Sequence, residues 1–222
     1  MRVVLKEINF QNDPAFFEKW LGREALEGHD FKDLFGQAEK IARPKAIFLD
    51  LVLEASGNDF VIISGVKFSS RILAVNLSKS PMVFPFAATC GAEIEDWSKA
   101  LSGKRKLASK AIMGLALWQA VKALDKEIIS RHGPGNICMM NPGSLPDWPL
   151  SEQEHLFSLL GDTREEIGLE LRPDFFMKPE MSASGIKFYA DFQYENCLLC
   201  NKEPCPGRRA QYSPEVVEKY KQ

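Results

Sequence analysis

The 222-residue sequence contains no apolar run long enough to cross a membrane. Charged residues interrupt each hydrophobic stretch, and the opening MRVVLKEINFQNDP lacks the apolar centre of a secretory leader. Neither sign of charge is in excess. The 28 basic and 30 acidic side chains leave a formal charge of −2, which offers no basic face to nucleic acid or to anionic lipid. Histidine is scarce, and His29, His132 and His155 stand at no metal-binding spacing. The stretch RHGPGNICMMNPGSLP has glycines but no lysine placed to hold a phosphate, so its glycines and prolines read as loop punctuation. No serine–histidine–acid or cysteine–histidine pairing follows from spacing, and there is no internal repeat. These absences predict a cytoplasmic protein with neither nucleic acid nor membrane as a partner. Its 45% hydrophobic residues suffice for one substantial core.

Strand and helix signals are mixed without regular alternation, which predicts an α+β fold. Residues 1–10 read as a strand. Asp13 and Pro14 open a helix over PAFFEKWLGREAL, and FKDLFGQAEKIA forms another that stops before Pro44. AIFLDLVLEA and DFVIISGV read as two strands joined by Ser56, Gly57 and Asn58. A serine-capped helix over SSRILAVNL, a strand over MVFPFAATC and a helix over GAEIEDWSKAL follow. Glu93, Glu95 and Asp96 fall in the first turns of that last helix, where its dipole favours carboxylates. LASKAIMGLALWQAVKALDKEII is apolar on most faces and is expected to pack centrally. Ser151 and Glu154 predict a capping box before HLFSLL. LRPDFFMKP and SASGIKFYADF read as strands, and Ser213-Pro214 begins a final short helix.

Cysteine is sparse and unevenly placed. Three of the five, Cys197, Cys200 and Cys205, form a C-x2-C-x4-C cluster followed by Pro206, Gly207 and two arginines. An odd count bunched in this way suits metal ligation better than a disulfide framework. Thiolates two residues apart can chelate one ion through a tight turn whose amides also donate to sulfur. Zinc and an iron–sulfur cluster both take four such ligands, so ligand type does not separate them. Two cysteines are available as the fourth. Cys90 lies at a strand-to-helix turn and is favoured; Cys138, between Ile137 and Met139, reads equally as a small buried hydrophobe. The simpler alternative is a set of idle thiols in a tail.

Residues 141–188 carry a likeness to a known family. Pro142-Gly143, Leu159-Leu160, Ile167-Gly168 with Leu171, Met177 with Pro179, and Ser182 with Ser184-Gly185 occur in a characteristic order, after ISGVKFSS, ATCGAEIE and the long helix. In these the sequence resembles the activation domain of cobalamin-dependent methionine synthase, and more closely its short stand-alone relatives, over most of its length. The resemblance implies a single domain, residues 1–195, with a bent, twisted antiparallel sheet flanked by helices, and a cysteine-rich segment, 196–222, packed on it. It further implies a domain that binds S-adenosylmethionine and closes over a cobalamin (corrinoid) protein whose cofactor has been oxidised. An external electron donor then reduces the cobalt. Such a domain positions its partners, and the cofactor carries the chemistry. The ligand-binding residues implied are Pro142, Gly143, Ser144, Leu145, Ser184 and Gly185, and no catalytic residue is implied.

The sequence departs from the family at the ligand loop, R-x-x-x-G-Y. Gly143 keeps the glycine, but Met139 stands at the arginine position and Ser144 at the tyrosine position. A glutamate of the family's long helix falls on Trp118 or, one residue on, Gln119. Without those charge partners S-adenosylmethionine is expected to bind poorly. The expected function is an accessory protein that supports reductive reactivation of a corrinoid methyltransferase, with an iron–sulfur centre on Cys197, Cys200, Cys205 and Cys90. The alternatives are a non-catalytic module of the same fold with structural zinc, and a true S-adenosylmethionine-binding activation domain.

Overall fold

The computed structural model describes residues 1–21, 29–192, 194–201, 203 and 208–220. In chain order the strands are β1 (Arg2–Leu5), β2 (Lys45–Leu49), β3 (Leu51–Ser56), β4 (Phe60–Ile63), β5 (Val66–Ser69), β6 (Met82–Thr89), β7 (Ile137–Met140), β8 (Glu170–Leu171), β9 (Met177–Lys178) and β10 (Ser182–Tyr189). The helices are α1 (Pro14–Leu21), α2 (His29–Ile41), α3 (Arg71–Leu77), α4 (Ala92–Lys99), α5 (Gly103–His132), α6 (Gln153–Leu160), α7 (Thr163–Ile167) and α8 (Pro214–Lys219). Among the described residues no helix is long and apolar enough to cross a membrane.

β6 is the axis of the main sheet and is buried along all but its first residue. One side pairs with β2 and then β3, and the other with β10, which carries β7 on its far edge. β1 extends the sheet beyond β2, and the β4–β5 hairpin continues it beyond β3. The named strand pairs are all antiparallel, which makes this an α+β fold. Both faces are covered, so the central strands read as near-continuous apolar runs. On one face Ala46, Phe48, Phe84, Phe86 and Ala88 meet Ala120, Val121, Leu124 and Ile128 of α5. On the other Ile47, Val83, Ala87, Ile186 and Phe188 meet α3, α6 and Trp148. A third cluster of aromatic residues from α1 and α2 packs on the first half of α5. One charge crosses the α5 face: Lys187, 2% exposed, reaches Asp125 of α5 at 2.6 Å and lies over the Phe86 ring.

Most of the expected elements form where composition placed them. Asp13 caps α1 through its carboxylate, and the Ser70 and Ser213 hydroxyls accept from the amides three residues on, Leu73 N and Val216 N, at the starts of α3 and α8. The helix expected over PAFFEKWLGREAL is confirmed to Leu21, and its last residues lie outside the described ones. The departures have local causes. The strand expected over 46–55 is interrupted at Asp50, whose amide donates to Met1 O at 2.7 Å and whose carboxylate meets His132 Nε2 at 2.8 Å. Ser64 and Gly65, both at positive φ, turn DFVIISGV into a hairpin, so its last residue belongs to β5. Ser151 does not cap α6; a short 3-10 turn, Leu150–Glu152, leads in instead. LRPDFFMKP is not one strand, because Asp174 accepts from Phe176 N and folds it into the β8–β9 turn. β7, read from sequence as loop, pairs with β10 from Met140↔Ile186 to Ile137↔Tyr189.

Gly185 permits the pairing that positions the end of β7. A Cβ built there would lie 2.1 Å from the Met140 carbonyl oxygen and 2.9 Å from Asn141 Nδ2. The obstacle is mainly backbone and has no rotamer to escape into. Gly185→Ala is therefore expected to destabilise the protein by about 3 kcal/mol, read as a lower denaturation midpoint with an unchanged slope.

Candidate ligand cleft and cysteine segment

The chain leaving β7 enters a braced loop, 141–150. Asn141 Nδ2 donates to Ser184 O at 2.7 Å, and Ser144 N donates back to Asn141 O at 3.1 Å. Gly143, at φ +76°, donates its amide to Trp148 O at 2.8 Å, and Leu145 bridges to Trp148. Trp148 is fully buried against Phe68. Asp147 takes the Ser70 hydroxyl at 2.9 Å and Ile72 N at 3.0 Å, so the loop also caps α3. Five separate bonds thus hold a loop of glycine and proline in one conformation.

Between this loop, the start of β10 and the β8–β9 hairpin lies a cleft of about 650 Å³. Pro142, Ser144 and Ser184 line it, as do Met139, Leu150, Phe176 and Met177. The other three expected ligand residues do a different job. Leu145 is buried in the core, Gly143 packs under Leu150, and Gly185 accommodates the Met140 carbonyl. The cleft floor is ordered by Gln153, 3% exposed, which accepts from Ser184 Oγ at 2.7 Å and donates to Phe175 O at 3.2 Å. Its charged groups are Arg172, Glu180 and Arg209. Trp118 and Gln119 are not among its lining residues. Gln119 lies in a larger groove of about 960 Å³ between β1 and α5, bonded to Gln11, and Trp118 carries Lys122 over its ring. Lys6, Lys122 and Lys126 line part of that groove, whereas the cleft has a hydrogen-bonded floor.

Glu95 is more than a helix-dipole residue. It is 6% exposed, its Oε2 accepts from Glu180 N and its Oε1 meets Lys99 at 2.7 Å. α4 thereby holds the segment after the cis Lys178–Pro179 bond, which sets the cleft wall.

The cysteine segment begins as a 3-10 turn, Asn196–Leu198. Asn196 Nδ2 donates to Asn141 Oδ1 at 2.7 Å, and Leu199, 4% exposed, plugs the main core. Cys197 and Cys200 are half-buried and share a turn in which Cys200 N donates to Cys197 O; Cys205 lies outside the described residues. Arg209 N donates to Cys197 Sγ at 3.4 Å, an amide-to-sulfur hydrogen bond. Among the described residues no group of three or more metal-ligating side chains converges. Cys90 is fully buried in the α1–α2–α5 cluster, and its Sγ donates to Gly91 O. Burial, then the nearby Glu95 carboxylate, pushes its thiol up to about 12. Cys138 instead lies beside the run into the segment: its Sγ donates to Phe192 O at 3.6 Å, and it shares a core cluster with Tyr194 and Leu199.

This fold is shared with a solved protein. The structure described as "Crystal Structure of the MetH Reactivation Domain bound to AdoHcy" matches with a TM-score of 0.60 and 17% sequence identity, covering 88% of this chain and 80% of that one. The chain therefore has the activation-domain fold that the motifs suggested. No protein-family model and no curated protein sequence matches it.

Arg172, Arg209, Glu180 and Gln153 escaped the sequence reading because they stand outside the motif positions, and Arg209 is 70 residues beyond Met139 in sequence. For the thiols a direct readout exists. At pH 8, Cys197 and Cys200 should react with a thiol reagent in the native protein while Cys90 reacts only on unfolding, followed by peptide mass spectrometry. Because the folded Cys90 thiol titrates above its ordinary 9.0, its contribution to stability is complete below that pH and is lost as pH rises toward about 12. Cys90→Ala should flatten that alkaline loss in pH-dependent denaturation.

Proposed function

We propose that the protein is an accessory module that docks on a cobalamin- or corrinoid-carrying protein and supports its reductive reactivation, holding a small S-adenosyl-type ligand in the cleft at Pro142, Ser144 and Ser184. The observation that carries this reading is the position of the cleft. It is built from the NPGS loop and the Ser-x-Ser-Gly strand, within a fold whose solved counterpart is described as bound to AdoHcy. The cleft suits such a ligand chemically, with apolar walls for a flat ring (Met139, Leu150, Phe176) and a few fixed polar groups. Phe176, 60% exposed at the mouth, is available to a partner as well. Residues 196–222 are read as part of the same packing unit as 1–195, supported by Leu199 in the core and by the Arg71–Tyr220 and Tyr220–Asn76 bonds of 2.7 Å.

For the cysteine segment we propose a metal centre on Cys197, Cys200 and Cys205, with Cys138 as the fourth ligand in place of Cys90. The Cys197–Cys200 turn and its amide-to-sulfur bond suit a metal, and Cys138 shares a core cluster with Leu199 of that segment, whereas Cys90 belongs to a different cluster. An iron–sulfur cluster there would supply electron transfer toward the partner's cobalt, and zinc would only fasten the segment. Iron and sulfide analysis after anaerobic purification separates the two; zinc without sulfide would leave a structural clamp and remove the electron-carrier role. Cys197→Ser should release the metal and expose the segment to protease.

The docking test is an absorbance titration of an oxidised cobalamin protein with this chain. Binding that changes the cobalt spectrum and saturates is the expected result. It should vary little between low and moderate salt, because the chain is nearly neutral. No association with any corrinoid protein tried would remove the partner assignment.

A further inference from the structure

The two arginines of the cleft differ in what they can still offer. Arg172 is engaged through a terminal amino group by Asp174 on its own turn. Arg209 meets Glu195 through Nε at 2.8 Å, which leaves both its terminal amino groups unengaged among the described residues. A guanidinium oriented from one edge presents the other edge as a fork for a carboxylate or a similar anion. The backbone that carries it is held with equal care. Arg209 N bonds Cys197 Sγ, and the neighbouring Arg208 donates to the carbonyls of Cys197 at 3.3 Å and Cys200 at 3.2 Å. Ser213 N donates to Leu198 O at 2.9 Å on the far side. The cysteine turn is therefore the platform on which the only cleft cation with a free edge among the described residues is mounted.

We infer that Arg209 is the anion-recognising residue of the cleft and that the cysteine turn presents it, so that the cysteine segment and the cleft form one coupled device. With Glu180 also lining the cleft, the ligand class is one bearing an amino-acid zwitterion, its carboxylate on Arg209 and its ammonium toward Glu180. This rests on the reading of the cleft as an S-adenosyl-type site. It makes a cation from the far end of the chain responsible for ligand selection, where β7 contributes the uncharged Met139.

The test compares two probes by calorimetry: S-adenosylhomocysteine, which has the zwitterion, and 5′-methylthioadenosine, which lacks it. Arg209→Ala should weaken S-adenosylhomocysteine about tenfold or more, the usual loss for a charge-assisted hydrogen bond, and leave methylthioadenosine unchanged. Arg209→Lys should recover part of the loss. Cys197→Ala should reproduce the selective loss with Arg209 still present, which a general loosening of the fold would not do, since that would weaken both probes. If wild type binds both probes and Arg209→Ala binds them equally well, Arg209 has no such role while the cleft reading stands. If Arg209→Ala shows the loss and Cys197→Ala does not, the coupling falls. If wild type binds neither probe, the cleft reading and this inference fall together.

Discussion

The Met140 carbonyl oxygen occupies the space that a side chain on residue 185 would fill, and the rest of the cleft depends on that contact. With glycine at 185, β7 closes on β10 and delivers Asn141 to the Ser184 carbonyl. From there one side chain ties three stretches of chain together, because the same amide accepts from Asn196 at the head of the cysteine segment. A wider approach would cost the Asn141 bonds and release both the loop and the segment. The stability of this junction is borrowed from the β6–β10 ladder, which is buried on both faces and does not fray as a surface loop would.

Electrostatics in the molecule is local. The net charge is −2 and most ion pairs are exposed, so they add little to stability. Two charges are placed differently. Lys187 is buried, and burial draws its proton affinity down while Asp125 opposes that shift. The pair pins α5 to β10 and is costly to break from one side. Glu95 is the other, fixing the chain before β10 from α4. Neither side chain lines the cleft: Lys187 fixes β10 itself and Glu95 fixes the chain that leads into it.

The cysteines divide into two kinds by environment. Cys90 is a core atom whose thiol is held protonated by its surroundings, and Cys138 is a small buried group beside 192–194, with burial raising it as well. Cys197 and Cys200 lie on a half-buried turn with an amide directed at sulfur. Among the described cysteines, those two are the partly exposed ones, and their turn also carries Arg209.

Much of the fold was legible in the residues themselves. Asp13-Pro14, Ser70 and Ser213-Pro214 mark their helix starts because capping is a contact within four residues. The apolar runs of β6 and α5 announced central elements because both are buried on most sides. Local pattern was silent or misleading where a partner elsewhere decided the outcome. β7 looks like loop until β10 pairs with it, Asp50 looks like mid-strand until Met1 and His132 reach it, and Ser151 looks like a cap until the 3-10 turn displaces it. The sequence alone determined the fold class, the motif order and the cysteine cluster. Tertiary structure alone decided that Leu145, Gly143 and Gly185 build the cleft without lining it, that Cys90 is core, and that Arg209 and Met139 line one cleft, because each depends on side chains brought together by the sheet and not by spacing along the chain.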